Sequence, residues 1–224
     1  MKFHINNRPD YASLHAVLSQ GEQIVTEAGA MMSMDPGLDL KTTLTGGLLG
    51  AAKRKLGGES LFMNTYTATA DGQHIDVAPG CPGDLEHIAI DEHAIIVQSG
   101  SYCACTPGVE VSTKWGGAKT FFGGEGLFML RCSGQGDLFI ASYGAIHSIN
   151  VREGYTVDTS HIVAFDDSLT FSVTRVGGLK SLFLSQEGLV CRFTGTGRLW
   201  IQTRSVPALA SFLHPFRRVK PKKQ

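Results

Sequence analysis

Apolar positions along this chain come in short clusters cut by glycine. Leu14, Ala16 and Leu18 alternate with other residues; Gly21 separates them from Ile24 and Val25, Gly29 from the Met31–Met34 run, and Asp35-Pro36-Gly37 from Leu38 and Leu40. Period-two alternation over short runs, broken about every eight to twelve residues by Gly or Pro-Gly, predicts strands of a β-sandwich or barrel. The rhythm returns in Leu85, Ile88 and Ile90, then Ile95-Ile96-Val97, Gly100, Tyr102–Cys105, Thr106-Pro107-Gly108 and Val109-Glu110-Val111. Gly29 maps on Gly100 and Pro36 on Pro107, both 71 residues on. Ile146 to Phe171 carries a third version, with Ser160 in the Gly100 place and Asp166-Asp167-Ser168 at the turn.

Each of these meanders leads into a hairpin. Phe62 to Tyr66 turns near Asp71-Gly72 into Ile75–Val77, Leu127 to Arg131 turns at Ser133–Gly136 into Leu138–Ile140, and Leu189 to Phe193 turns at Gly195–Gly197 into Leu199–Ile201. A motif introduces them: Gly57-Gly58-Glu59-Ser60-Leu61-Phe62-Met63-Asn64 returns as Gly123-Gly124-Glu125-Gly126-Leu127-Phe128-Met129-Leu130, and more faintly as Gln186-Glu187-Gly188-Leu189-Val190-Cys191. Self-similarity at a long period means a repeated supersecondary unit. The expectation is an all-β single domain over 1–216, made of three β repeats at about 1–78, 79–141 and 142–204. Since a lone hairpin cannot bury its apolar face, the repeats are expected to close as a pseudo-threefold barrel, each covering its neighbour's edge. Glu59, Glu125 and Glu187 recur at equivalent places, which reads as a structural role at the start of each hairpin.

Two stretches break the β rhythm. Leu48, Leu49, Ala52 and Leu56 share a helical face, predicting a short connector helix near 47–56 with Lys53, Arg54 and Lys55 off that face. Ser205 as cap, Pro207 in the first turn and Leu209, Phe212 and Leu213 on one face predict a short C-terminal helix, docked on the barrel by that face and stopped at Pro215.

The long motif from Thr45 to Asn64, with the later Gly-Gly-Glu-Gly-Leu-Phe, resembles the family catalogued as domain of unknown function 124, over roughly Phe3 to Phe216. That family includes the mitochondrial "altered inheritance of mitochondria" protein. The resemblance implies a fold similar to the tryptophan-RNA-binding attenuation protein, a double-stranded β-helix type of unit repeated threefold. It carries over no catalytic residue.

Composition narrows the function classes. With 42% apolar and 18% charged residues the chain has material for a sizeable core and is not a disordered sequence. The zero net charge hides an asymmetry, because Arg217, Arg218, Lys220, Lys222 and Lys223 all fall in the tail 217–224. The rest holds 15 basic against 20 acidic groups and repels phosphate backbones, so a nucleic acid partner is not expected outside that tail. Five cysteines without a paired CxxC framework fit a reduced, cytoplasmic setting, and no apolar run approaches the roughly 20 residues of a membrane span.

Candidate chemistry is sparse. His87 and His93 flank a strand, and counting by twos puts Cys103 and Cys105 on one strand face; meeting across the sheet, these four could hold zinc. Buried strand cysteines acting as small apolar residues are the simpler account, and no cofactor is expected. Neither a Gly-x-Ser-x-Gly elbow nor a P-loop is present. The sequence therefore points to a non-enzymatic binding or scaffold module that forms a homo-oligomer. Lys53, Arg54, Lys55 and the basic tail are its candidate contacts with an anionic membrane surface. The alternatives are a metal- or small-ligand-binding protein or enzyme with a site between β-units, and RNA binding through the tail.

Overall fold

A computed structural model describes residues 1–44, 62–113, 128–175 and 189–217. The connector near 47–56 with Lys53, Arg54 and Lys55, the three glutamates Glu59, Glu125 and Glu187, and the tail residues Arg218, Lys220, Lys222 and Lys223 lie outside the described residues.

The chain is mostly β. Strands β1 (Lys2–Asn6), β2 (Ser13–Leu18), β3 (Gln23–Glu27), β4 (Met31–Met34), β5 (Asp39–Leu44), β6 (Phe62–Thr67) and β7 (Gln73–Val77) come first. They are followed by β8 (Leu85–Ile90), β9 (Ile95–Gln98), β10 (Tyr102–Cys105), β11 (Val109–Ser112), β12 (Met129–Gly134) and β13 (Gly136–Ala141). Last come β14 (Ile146–Val151), β15 (Tyr155–Asp158), β16 (Ile162–Asp166), β17 (Thr170–Arg175), β18 (Leu189–Thr194) and β19 (Gly197–Gln202), then a helix, α1 (Val206–Leu213).

These strands form four sheets: sheet 1, β1-β2-β7-β4; sheet 2, β5-β6-β3-β10-β13-β8; sheet 3, β11-β12-β9-β16-β19-β14; and sheet 4, β15-β18-β17. Adding six to every strand number of sheet 2 gives sheet 3. All of the named strand pairs are antiparallel. Where a barrel was expected, no closed barrel is found among the described residues. The strands pair into open sheets that pack face to face, and each apolar cluster is buried between two successive sheets.

Burial explains the two kinds of strand pattern. β2 alternates, with Leu14, Ala16 and Leu18 buried, because one face of sheet 1 meets the core. The central strands β9, β10 and β16 are buried without alternation apart from Asp166 at the end of β16, and apolar apart from Gln98 and Asp166, since sheets 2 and 3 carry core on both faces. One cluster (Leu14, Tyr66, Ile75, Phe139) lies between sheets 1 and 2; a second (Val97, Tyr102, Leu138, Trp200) between sheets 2 and 3; a third (Ile96, Phe165, Phe193, Leu199) between sheets 3 and 4.

Two features pin the links between meanders. Arg8 grips Asp84 through two hydrogen bonds, Nε to Oδ1 at 2.7 Å and a terminal nitrogen to Oδ2 at 2.9 Å, a bidentate geometry that fixes orientation. Beside it Gly83 bridges to Gly144, so close that a Cβ there would sit 2.0 Å from the Ser142 carbonyl oxygen.

Candidate functional site

The four candidate metal ligands do not converge. His87 on β8 is held by Asp137 on β13, Nε2 to Oδ1 at 2.7 Å, and its ring lies 4.7 Å from Phe3 and 5.3 Å from Phe139. His93 is exposed in the turn after β8. Cys103 and Cys105 do not share a face, contrary to the count by twos. The register against β13 shifts between Tyr102 and Ala104, and this irregularity sends Cys103 into the cluster between sheets 1 and 2 and Cys105 into the one between sheets 2 and 3. Burial pushes the Cys103 thiol up to about 12 and the Cys105 thiol up to about 11, so both stay protonated near neutrality. Among the described residues no group of three or more His, Cys, Asp and Glu could hold a metal ion.

Sheet 1 carries a polar rung that the sequence reading missed. Asp76 on β7 takes His15 of β2 on one side, Nδ1 to Oδ1 at 2.7 Å, and the donating Ser33 hydroxyl of β4 on the other, 2.6 Å from Oδ2. The hydrogen bond from Ser33 and then that from His15 hold the Asp76 carboxyl below its ordinary range. Its order excludes a nucleophilic triad: the carboxylate sits between hydroxyl and imidazole, so the imidazole has no hydroxyl proton to take. The rung ties β4 to its sheet. The signal for it was the polar half of the alternation, His15 opposite Asp76 and Ser33 opposite Asp76.

A cavity of about 220 Å³ opens where the ends of several strands meet, lined by Glu27, Cys81, Gln98, Ser101, Tyr143 and Gln202 among others. Most of its polar groups hold the loops together: Gln202 Nε2 donates to the Ser160 carbonyl at 2.9 Å, and the Tyr143 amide donates to Gln202 Oε1 at 2.9 Å. Glu27 differs. Desolvation pushes its carboxyl up to about 7, which gives the cavity a group that changes charge near neutral pH.

Two surfaces complete the inventory. α1 has the predicted Ser205 cap, whose hydroxyl accepts from the Ala208 amide at 3.4 Å, and Pro207 in its first turn. Docking of its apolar face is not observed, because no residue of α1 is buried; Phe212 is 66% exposed and Leu213 51%. Its Phe212 meets Phe216 of the turn that follows the helix, ring centroids 5.9 Å apart. At the other surface, β4 and β15 are edge strands, and Met31, Met32, Met34 and Tyr155 are exposed along them.

Fold and surfaces together define an all-β protein of stacked antiparallel sheets, with open sheet edges and a projecting apolar helix. The same fold is seen in the X-ray crystal structure of a protein from Streptococcus pyogenes, at a TM-score of 0.80, 24% identity and coverage of 96% of this chain and 99% of that one. An uncharacterised protein of Streptococcus pyogenes serotype M6 is 26% identical over 223 residues, 95% of this chain and 90% of its own length. Residues 3–204 match the family described as Mitochondrial biogenesis AIM24, and the chain belongs to that family. No helix among the described residues is long and apolar enough to cross a membrane.

Proposed function

We propose that the protein is a non-enzymatic scaffold module that associates with copies of itself. It reads as three units of six strands each, β2–β7, β8–β13 and β14–β19, joined in sequence by the same step. In this reading sheets 2 and 3 are each half one unit and half the next, and sheets 1 and 4 are single halves with no neighbour. That difference in width carries the proposal: three strands of each internal sheet come from an adjoining unit, and the two terminal halves each expose the edge where such a unit would add. Light scattering on the purified chain tests it. Masses at multiples of 24.0 kDa support self-association, and a 24.0 kDa species at every concentration removes it.

A second contact, with an anionic membrane surface, is favoured by the unpacked face of α1. Leu209, Phe212, Leu213 and Phe216 are exposed directly before the basic run Arg217, Arg218, Lys220, Lys222 and Lys223. Apolar side chains seated at the headgroup boundary and cations attracted to acidic lipid act together there, each cation contributing about 1 kcal/mol. Flotation with phosphatidylserine vesicles should carry the full chain and not a chain ending at Pro215. Equal flotation of both would contradict the contact.

A further inference from the structure

We propose that the cavity of about 220 Å³ takes a small organic ammonium ion, paired with the Glu27 carboxylate and resting its carbon body on the apolar lining. The repeat shows why Glu27 is free to pair. It is the last residue of β3; 71 residues on stands Gln98, the last of β9, and 60 further stands Asp158, the last of β15. The two later side chains are engaged by the turns that follow them. Gln98 Oε1 accepts from the Ser101 hydroxyl at a long 3.4 Å, and Asp158 Oδ1 accepts from the Ser160 amide at 2.9 Å and from its hydroxyl at 2.6 Å. After Glu27 come Ala28, Gly29 and Ala30, so its turn has no hydroxyl to offer. Among the described residues the Glu27 carboxylate has no hydrogen-bond or ion-pair partner, and desolvation is what acts on it.

The surroundings leave the matching charge to come from outside. No Lys, Arg or His belongs to the cavity lining, and Pro79, Ala141, Val206 and Pro207 give it apolar surface. The strands beside β3 add no cation either. Glu27 stands opposite Met63 of β6, and on the β10 side the titratable group that feels its charge is Cys103, a thiol that burial keeps protonated. Cys81 and Tyr143 are the other titratable groups on the lining. A carboxylate drawn partly out of water without a partner is costly to ionise, and an incoming cation offsets that cost.

Charge, coordination and size select the ligand class. An anion is repelled by Glu27. A divalent ion needs several oxygen ligands, and among the described residues no group of three or more His, Cys, Asp and Glu is placed to hold one. An ammonium presents three donors and is satisfied by one carboxylate with neighbouring carbonyl or hydroxyl oxygens, while its carbon body covers the apolar lining. The volume has room for about seven water molecules, which suits a ligand of about eight non-hydrogen atoms. It lies below the roughly 300–1,000 Å³ of sites for drug-sized molecules.

Benzylamine is the probe, benzyl alcohol its neutral counterpart of the same size, and Cys81 reports the place: it lines the cavity and is exposed, whereas the other four cysteines are buried. At pH 8 benzylamine should slow modification of Cys81 by a thiol reagent. Titration of the full chain followed by NMR should give benzylamine at least about a tenfold higher affinity than benzyl alcohol. Lowering the pH to 5.5 protonates Glu27 and should weaken benzylamine by at least about tenfold, because the fraction of chains able to pair with it falls. Glu27→Gln, its fold checked by thermal unfolding, should lose both the protection of Cys81 and the preference for the amine. Equal affinities for amine and alcohol, benzylamine binding that is unchanged in Glu27→Gln or between the two pH values, or no protection of Cys81 at millimolar benzylamine would each overturn the site. The comparison of amine with alcohol and of the two pH values uses the wild type alone, so it decides even where Glu27→Gln does not fold. None of these results bears on self-association.

Discussion

Glu27 ends β3 beside the cavity, and its raised carboxyl makes a pH prediction of definite sign. The folded protein holds the proton more tightly than the unfolded chain, whose carboxyl titrates near 4.5. The penalty for charging it is therefore absent below pH 4.5, grows between 4.5 and about 7, and is complete above that. Unfolding midpoints of the wild type should fall relative to Glu27→Gln between pH 5 and pH 7.5, and parallel curves would show that burial does not bear on this group. Trp200 gives a second test. Its ring is fully buried between sheets 2 and 3, its Nε1 donates to Glu86 Oε1 at 2.9 Å, and the Arg198 guanidinium lies 4.8 Å from the ring centroid. Trp200→Phe should cost about 1–3 kcal/mol in denaturant unfolding, from the lost hydrogen bond and unfilled volume. Neither role was legible in the sequence, since both groups are set by strands far away along the chain. Cys103 and Cys105 show the complementary failure: period-two counting assumes an unbroken pleat, and a single shift in register puts the two thiols in different clusters.

At the scale of elements more was legible, because strands and turns are written locally. The hairpin turns at Asp71-Gly72, Ser133–Gly136 and Gly195–Gly197 fall where the glycines placed them, and Gly195 adopts φ +99°, a conformation that favours glycine. β1 escaped notice, since Phe3 and Ile5 are too few apolar residues to stand out, yet it covers the flank of β2 over five residue pairs. The cap and Pro of α1 were also readable from composition, whereas its lack of a docking face was not: an apolar stripe says that a helix wants cover, not where cover exists. Phe212→Ser should accordingly leave stability within about 0.5 kcal/mol of wild type while weakening vesicle flotation. A large loss of stability would place the helix against the body. Gly83→Ala should do the opposite and lower the unfolding midpoint sharply, because its new Cβ meets the backbone carbonyl of Ser142 rather than a side chain that could turn away.

For the whole molecule, offsets of 71 and 60 residues in the sequence reappear as a shift of six in strand number between sheets 2 and 3. What the offsets left open was how the meanders meet. Mutual covering of edges suggested closure on an axis; among the described residues no closed barrel is found, two sheets are six strands wide, and β4 and β15 stand as edges of the other two. The proposed self-association would use those two edges, and amide hydrogen exchange tests it directly. At high protein concentration the amides of 31–34 and 155–158 should exchange slowly, together, and they should become fast on dilution while β10 and β16 stay protected. Exchange at those two edges that is independent of concentration, whether fast or slow, would contradict pairing between copies.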